Sequence, residues 1–317
     1  MIRVAILDDY QRVALEVADW SALDGRAELT VFDYRLGDED AVAAVLAEFD
    51  VVVAMRERTS FSGSLLRRLP RLRLLVTTGM RNSAIDVATA ERLGIAVCGT
   101  GSRAASTVEL TWALILGWSR HLVEEVGNMA TGGWQTTVGT GLAGRTLGIV
   151  GLGRIGSAVA EVGSAFGMRV LAWSQNLTAE TAEASGAELV SLADLLSASD
   201  VVTVHQVLSD RTRNLIGELE LALMRQTALL VNTSRGPIVS SDALVAAVRD
   251  GVIAGAAVDV YDEEPLPADH PLRSTPGILA TPHLGYVARD VYEVFYGEVV
   301  EDVVSFLDGT PLRQISG

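Results

Sequence analysis

Short apolar runs alternate with segments of helical periodicity along almost the whole chain. Before residue 100 the runs are Val4–Leu7, Leu29–Phe32, Val51–Ala54, Leu72–Val76 and Ile95–Val97. Strands that alternate with helices are typical of a parallel sheet with helices on both faces. The pattern therefore predicts one small, doubly wound α/β domain in this part of the chain.

A second alternating series begins at Leu147. Its predicted strands are Leu147–Val150, Val170–Trp173, Val201–Val204, Leu229–Asn232, Ala256–Val260 and Ile278–Ala280. One long helix, about Ala104–Met129, and a loop rich in Gly and Thr are expected between the two series, and a last helix is expected at Arg289–Leu307. Ligands of such folds bind beyond the carboxyl ends of strands, so we expect two lobes with the site in the cleft between them.

The first strand of the second series ends directly in a glycine motif, Gly151-x-Gly153-x-x-Gly156, and a helical pattern follows. One glycine allows a tight turn, one lets the backbone approach a pyrophosphate, and one lets the helix pack on the strand. The N–H groups at the helix start would then face the anion. The motif predicts a dinucleotide site, although a glycine-rich turn without a ligand remains an alternative for the motif alone.

Three side chains suited to redox chemistry each follow one of the last three predicted strands: Arg235, Glu264 and His283. An arginine can hold a carboxylate through two parallel N–H bonds and polarise the adjacent carbonyl. His283 can protonate the oxygen that becomes an alkoxide when hydride reaches the carbon, and Glu264 would fix the imidazole tautomer and stabilise the protonated acid. The set fits the reduction of a 2-oxo acid.

Each of the three also has a purely structural interpretation. Arg235 could be a solvated loop arginine, Glu264 lies in a run of acids typical of surface loops, and His283 could cap a strand. Taken jointly, and after a dinucleotide motif, the three favour an active site.

Composition narrows the classes of function. A length of 317 residues suggests about two domains, and a net charge of −15 argues against a nucleic-acid surface. The apolar runs are too short to cross a membrane, and Met1 leads straight into a predicted strand, so we expect no leader and a cytoplasmic protein. The single cysteine, Cys98, lies among apolar residues, which indicates a core residue and no cysteine metal cluster. No metal site is predicted.

Four ordered motifs together resemble the D-isomer-specific 2-hydroxyacid dehydrogenases, a family that includes phosphoglycerate, glycerate and lactate enzymes. The motifs are GLGRIG at 151–156, NTSRG at 232–236, AAVDVYDEEP at 256–265 and TPHLG at 281–285. The resemblance implies a Rossmann cofactor domain, 103–288, inserted in a flavodoxin-like substrate domain made of 1–102 and 289–317. It also implies that Arg235, Glu264 and His283 are catalytic, and that the protein is a homodimer built through the cofactor lobe.

The resemblance further assigns the binding residues. Those expected to contact the cofactor are Thr107, Gly151, Gly153, Arg154, Ile155, Gly156, Ser174, His205, Thr233, Asp259 and Gly285. Those expected to contact the substrate are Arg58, Gly79, Met80, Arg81 and Arg235. Arg56, Arg58 and Arg81 are also candidates for binding a second anionic group, with solvated arginines as the favoured alternative.

The chain departs from the family pattern at three places. Tyr286 stands where a glycine often follows the histidine, His205 is followed by Gln-Val where the family often has His-x-Pro, and the loop 77–82 lacks the usual small residues. None of these changes touches Arg235, Glu264 or His283. They bear on the identity of the substrate more than on the reaction.

The expected function is an NAD(P)-dependent oxidoreductase that interconverts a small 2-oxo acid and its D-2-hydroxy acid. An NAD enzyme normally has an acid after the second strand of the cofactor domain, but here Ser174 is followed by Gln175 and Asn176. We therefore predict weak discrimination between NAD(H) and NADP(H). A dinucleotide-sensing, corepressor-like binding protein on the same fold is the alternative, which the retained Arg, Glu and His disfavour.

Overall fold

The computed structural model describes all 317 residues, and the chain divides into two compact units. The first unit comprises Met1–Arg103 and Val287–Gly317, and the second comprises Ala104–Tyr286. The first unit is thus built from two separate stretches of sequence. No helix is long and apolar enough to cross a membrane.

The first unit contains a five-stranded parallel sheet. Its strands are β1 Ile2–Ile6, β2 Ala27–Val31, β3 Val51–Ala54, β4 Leu74–Thr77 and β5 Ala96–Gly99. They lie in the order β2-β1-β3-β4-β5, the order typical of flavodoxin-like folds. The inner strands β3 and β4 are buried on both faces, which explains their uninterrupted apolar sequences.

Four helices belong to the first unit: α1 Glu39–Leu46, α2 Gly63–Leu66, α3 Val87–Arg92 and α11 Arg289–Leu307. Each of the first three begins with a side chain that accepts a hydrogen bond from the first turn, supplied by Asp38, Ser62 and Asp86. The last helix has the predicted bounds and returns to pack against β4. Cys98 is fully buried, as predicted.

The second unit contains a seven-stranded parallel sheet. Its strands are β6 Thr146–Val150, β7 Arg169–Trp173, β8 Glu188–Leu189, β9 Val201–Val204, β10 Leu229–Asn232, β11 Gly255–Val258 and β12 Ile278–Ala280. They lie in the order β12-β11-β10-β9-β6-β7-β8, so the order in which successive strands are added reverses between β6 and β9. Separate apolar clusters cover the two faces of the sheet. The predicted fold class, two doubly wound parallel-sheet lobes, is confirmed.

The helices of the second unit are α4 Ala105–Ser119, α5 Leu122–Ala130, α6 Arg154–Ala165, α7 Ala179–Ala184, α8 Leu192–Ala198, α9 Glu218–Leu223 and α10 Ser241–Arg249. The prediction of one long helix over 104–129 is wrong. The helix is interrupted after Ser119, and His121 takes a left-handed conformation with φ +50° between α4 and α5. Strand β8 was also missed, because two residues are too short to show a pattern.

Candidate active site

The glycine motif lies in a tight turn between β6 and α6. Gly151 has φ +109°, a conformation that side chains rarely adopt. A Cβ atom on Gly151 would lie 2.7 Å from the carbonyl carbon of His205, and one on Gly156 would overlap the carbonyl oxygen of Gly151. Two of the three glycines are therefore required by close backbone contacts, as the motif predicted.

The start of α6 suits an anionic group. Gly153 is the N-cap and has no side chain, so no side chain caps the N–H groups of Arg154, Ile155 and Gly156. Nothing lies within 4 Å of the position that a Cβ on Gly153 would occupy. Unpaired N–H groups and the positive end of the helix dipole favour a phosphate at this place. The turn thus fits the pyrophosphate of a dinucleotide.

Ser174 follows β7 and is bonded to the glycine turn. Its hydroxyl accepts a hydrogen bond of 2.9 Å from the N–H of Leu152, while the N–H of Gly151 donates to the carbonyl of Trp173 at 2.8 Å. Gln175 and Asn176 are exposed beside it. Ser174 thus supports the turn, a role that its position in the sequence did not reveal, and no carboxylate occurs in 174–176.

His205 follows β9 and packs its backbone against Gly151. Its Nε2 lies 2.9 Å from the hydroxyl of the buried Thr203. Burial disfavours the imidazolium and lowers the pKa of His205 to about 4. The side chain is therefore neutral at neutral pH and adds no charge beside the glycine turn.

Arg235 lies on the loop that follows β10, and hydrogen bonds within this loop fix its backbone. The amide of Asn232 donates to the Arg235 carbonyl at 3.0 Å, and the guanidinium Nη1 donates to the Ser234 carbonyl at 2.8 Å. Gly236 packs directly on the backbone of Tyr261, the residue that follows β11 by three positions. These contacts fix the backbone of the arginine against the loop that leads to Glu264.

Glu264 and His283 are in direct contact. The imidazole Nδ1 of His283 lies 2.5 Å from Oε2 of Glu264. The side chain of His283 is 18% exposed and that of Glu264 is 26% exposed. The other oxygen of Glu264, Oε1, accepts from the N–H of Tyr261 at 3.0 Å. Because an ionised carboxylate only accepts, Nδ1 carries a proton and Nε2 is the nitrogen that can exchange one with a substrate.

Asp259 holds the turn that carries His283. Its two oxygens accept hydrogen bonds from the N–H of Leu284 at 2.7 Å, the N–H of Gly285 at 2.9 Å and the hydroxyl of Thr281 at 2.6 Å. Burial raises the pKa of the Asp259 carboxyl, and these donors oppose that shift. Since His283 itself has φ +53°, a backbone that few residues adopt, the turn needs such support.

The same turn is tied to the start of α4. The carbonyl of Gly285 accepts hydrogen bonds of 2.9 Å from the hydroxyls of both Ser106 and Thr107. The ring of Tyr286 meets the ring of His283 edge-on, with centroids 5.1 Å apart. Tyr286, noted above as a departure from the family pattern, thus packs directly on the candidate acid.

Thr233, which follows β10 and is predicted to bind the cofactor, is also linked to α4. The hydroxyl of Thr233 lies 2.8 Å from that of Thr111, and both residues are buried. Sequence reasoning missed Thr111, Ser106, Thr281 and Tyr261, whose hydroxyl donates to the Thr281 carbonyl at 2.7 Å. Only Thr281 and Tyr261 lie within motifs quoted above, and no pattern marked the other two.

In the first unit the predicted substrate residues follow β3 and β4, which are neighbouring strands. Arg58 donates through Nη1 to the Asp8 carbonyl at 2.6 Å and stacks on the ring of Tyr10 at 4.5 Å. Gly79 has φ +91°, while Met80 and Arg81 are exposed. Arg58, after β3, and the residues 79–81, after β4, share one edge of the sheet because the carboxyl ends of parallel strands meet there.

Comparison with known proteins identifies the class. Residues 112–285 match the family model of the D-isomer specific 2-hydroxyacid dehydrogenase, NAD binding domain. The chain belongs to this family of oxidoreductases.

Individual relatives support the assignment. A glyoxylate reductase of Aeropyrum pernix is 44% identical over 255 residues, covering 77% of this chain and 76% of the relative. A D-3-phosphoglycerate dehydrogenase of Methanocaldococcus jannaschii is 33% identical over 270 residues, covering 80% of this chain and 51% of the relative. The crystal structure of a phosphoglycerate oxidoreductase from Vibrio cholerae superposes with a TM-score of 0.93 at 38% identity, covering 98% of this chain and 100% of that chain.

The protein is therefore a 2-hydroxyacid dehydrogenase that acts on the CH–OH group, with a nicotinamide dinucleotide as cofactor. It transfers hydride between that cofactor and a small 2-oxo acid or 2-hydroxy acid. The relatives are named as enzymes, and nothing among them supports the corepressor-like alternative.

Proposed function

We propose that Arg235, Glu264 and His283 form the catalytic set of this dehydrogenase. The observation that carries the proposal is the 2.5 Å contact between His283 Nδ1 and Glu264. Glu264 follows β11 and His283 follows β12, and β11 lies between β12 and β10, the strand that Arg235 follows. Adjacent parallel strands direct their carboxyl ends to one edge of the sheet. A carboxylate-binding group and a proton donor are thus available at the same edge.

In the direction of 2-oxo acid reduction, Arg235 binds the substrate carboxylate through its planar fork and orients the adjacent carbonyl. His283 donates a proton from Nε2 to the carbonyl oxygen, which would otherwise become an alkoxide. Glu264 accepts from Nδ1 and stabilises the imidazolium that exists before the transfer. In the oxidation direction His283 takes the proton back, and the same geometry serves both.

The cofactor, when bound, supplies or accepts the hydride at the substrate carbon. The glycine turn and the start of α6, with Arg154 and Ile155, would hold the pyrophosphate through backbone N–H groups. Thr107, His205, Thr233, Asp259 and Gly285 are proposed to surround the remainder, with Asp259 acting chiefly through the turn it fixes.

Weak discrimination between NAD(H) and NADP(H) is part of the proposal. The segment 174–176 has neither a carboxylate to bind a ribose hydroxyl and repel a 2′-phosphate nor an arginine to bind one. The hydroxyl of Ser174 already accepts from Leu152, so the side chain presents a polar group without charge.

The proposed substrate is a short 2-oxo acid of the glyoxylate class. The support is the 44% identity to a glyoxylate reductase, together with the bulky Tyr286 packed on His283. In the first unit, Arg58, Gly79, Met80 and Arg81 are proposed to contact the acid, which makes this unit the substrate domain and 104–286 the cofactor domain. Arg81 is the exposed member of the three arginines, and a solvated arginine is the interpretation that fits an acid without a second anionic group.

The test is the rate of NADH and NADPH oxidation with a panel of 2-oxo acids. Glyoxylate, hydroxypyruvate, pyruvate and 3-phosphohydroxypyruvate differ in size and in the second anionic group. The proposal expects the highest kcat/KM for an unphosphorylated short acid, with a D-2-hydroxy acid as product wherever the product is chiral. Absence of activity with every member of the panel would overturn it.

A homodimer is also proposed, through the surface formed by α5 and the loop that follows. None of the α5 residues is buried, and the apolar side chains Leu122, Val123, Val126 and Met129 are 56–64% exposed. Trp134 on the following loop is 72% exposed. Several large apolar side chains exposed on one helix and the loop after it are typical of an interface. Light scattering of the wild type and of Val126→Glu should give a dimer and a monomer, respectively.

A further inference from the structure

The segment 310–317 pairs with β5, the edge strand of the first sheet. The N–H of Gly99 donates to the carbonyl of Arg313 at 3.1 Å, and the N–H of Ile315 donates to the carbonyl of Val97 at 2.8 Å. Cys98 and Gln314 thereby form an antiparallel bridge. Because β5 would otherwise have an open edge, this segment completes the sheet on that side.

Arg313 fixes the segment to one face of α11. Its guanidinium donates to Oε2 of Glu301 at 2.8 Å, to Oδ1 of the buried Asp302 at 3.1 Å and to the carbonyl of Glu298 at 2.8 Å. Arg313 has φ +47°, a left-handed backbone that non-glycine residues adopt only when the surroundings impose it. The position of the segment is therefore set by α11.

Glu298, also on α11, contacts both Arg313 and the loop after β5. Its Oε2 accepts a hydrogen bond of 2.6 Å from the N–H of Gly101, and Nε of Arg313 lies 3.6 Å from that oxygen. The preceding residue, Thr100, accepts a hydrogen bond of 2.8 Å from the N–H of Gly79 through its hydroxyl. Two consecutive residues thus connect α11 on one side with the loop after β4 on the other.

Packing at Gly99 makes a second connection between the segment and that loop. A Cβ atom on Gly99 would lie 2.8 Å from Cδ1 of Ile315, 2.9 Å from the carbonyl oxygen of Gly79 and 3.1 Å from Cα of Met80. The isoleucine and the loop therefore approach the same point of the backbone. Gly79 itself, with φ +91°, has a conformation that depends on its neighbours.

We propose that Glu298 is a positioning residue for substrate binding, supported by Arg313 and Ile315, and that it acts by fixing the loop 78–82. The proposal rests on the assignment of Gly79 and Met80 to the substrate site under the proposed function. When a loop samples several conformations, the apparent affinity for its ligand falls with the fraction of molecules in the conformation that can bind. Loss of the Glu298 contact therefore raises KM for the 2-oxo acid and leaves the chemical step and the cofactor site unchanged.

The test compares three variants of the full chain with the wild type. Glu298→Ala removes the acceptor of the Gly101 N–H, and Glu298→Gln keeps an acceptor oxygen there. Glu293→Ala is the matched control, because Glu293 lies on the same helix, is half-exposed and pairs with Arg289 instead. The readouts are kcat and KM for the best 2-oxo acid, the Kd of reduced cofactor by fluorescence, and hydrogen–deuterium exchange in peptides that cover 77–82.

Glu298→Ala should raise KM by about tenfold or more, with kcat and the cofactor Kd within about twofold of the wild type. It should also speed exchange in 77–82. Glu298→Gln should recover most of the loss, and Glu293→Ala should behave as the wild type. Should Glu298→Ala fail to fold, Ile315→Ala is expected to show the same pattern, because it removes the packing contact at Gly99.

Unchanged KM and unchanged exchange in Glu298→Ala would overturn the proposal, as would a parallel loss in kcat, cofactor binding and thermal stability. If the wild type reduces no 2-oxo acid, the proposed function fails. The exchange measurement then still decides whether Glu298 fixes the loop, so the two failures are distinguishable.

Discussion

Replacing Glu264 with glutamine removes one charge at a contact that leaves little room for adjustment. In the wild type, Oε2 lies 2.5 Å from Nδ1 of His283 and Oε1 accepts from the N–H of Tyr261 at 3.0 Å. Both partners are donors. Glutamine has one acceptor oxygen and one NH₂ group, so it can serve only one of the two donors, and the other faces an amide that also donates.

The size of the effect follows from the burial of the pair. Hydrogen bonds to charged groups contribute about 1.5–3 kcal/mol when they are shielded from water. The side chains are 18% and 26% exposed, so most of this contribution applies. We expect kcat/KM for 2-oxo acid reduction to fall by roughly tenfold to a hundredfold, since each 1.4 kcal/mol is about tenfold in rate.

The assay is steady-state oxidation of the reduced cofactor with the best 2-oxo acid. Glu263→Gln serves as the matched control, because Glu263 is the exposed neighbour in the same run of acids. The control should retain wild-type rates, and neither variant should alter cofactor binding. A Glu264→Gln enzyme within about threefold of the wild type would refute the link between this carboxylate and His283.

Three further substitutions test other parts of the account. Arg235→Lys keeps the charge but loses the planar fork, so kcat/KM should fall by about a hundredfold while the free energy of unfolding stays unchanged. Near wild-type kinetics would remove Arg235 from the mechanism. Ser174→Asp should shift the ratio of kcat/KM toward NADH, whereas a wild-type preference for NADH above about a hundredfold would mean that another residue discriminates. Burial raises the pKa of Asp302 to about 6, so the folded state favours the neutral acid and loses stability as pH rises through that value. Compared with Asp302→Asn, the wild type should lose up to about 3 kcal/mol of unfolding free energy between pH 4 and pH 7.5, measured by urea unfolding, and parallel pH dependence of the two proteins would contradict this.

The strands were the most predictable part of the fold. Val51–Ala54, Val201–Val204, Leu229–Asn232 and Ile278–Ala280 have the predicted bounds. The first three are buried along their whole length, which explains why their sequences are almost entirely apolar, whereas Ile278–Ala280 is a partly buried edge strand. The break between α4 and α5 was not predictable in this way. The apolar spacing continues from Trp118 to Leu122 across the break, and neither glycine nor proline occurs in 118–122.

For the candidate site, the sequence allowed a prediction of which residues follow the strand ends, but not of the hydrogen bonds that hold them in place. The motif order placed Glu264 beside His283, because both follow neighbouring strands. The contacts of Asp259 with the backbone N–H groups of Leu284 and Gly285 depend on the shape of a turn, which side-chain identity does not encode. For the same reason the hydrogen bond between Ser174 and Leu152 could not be predicted, although Leu152 lies in the glycine motif and Ser174 was expected to contact the cofactor.

The most direct test of the central claim is the rate of 2-oxo acid reduction by His283→Ala. The account makes Nε2 of this imidazole the proton donor, held by Glu264 at Nδ1. Loss of a general acid should lower kcat by at least about a hundredfold. The Kd of the reduced cofactor should stay unchanged, since the glycine turn that is proposed to bind the pyrophosphate does not involve His283. A His283→Ala enzyme that retains kcat within about tenfold of the wild type would contradict the account.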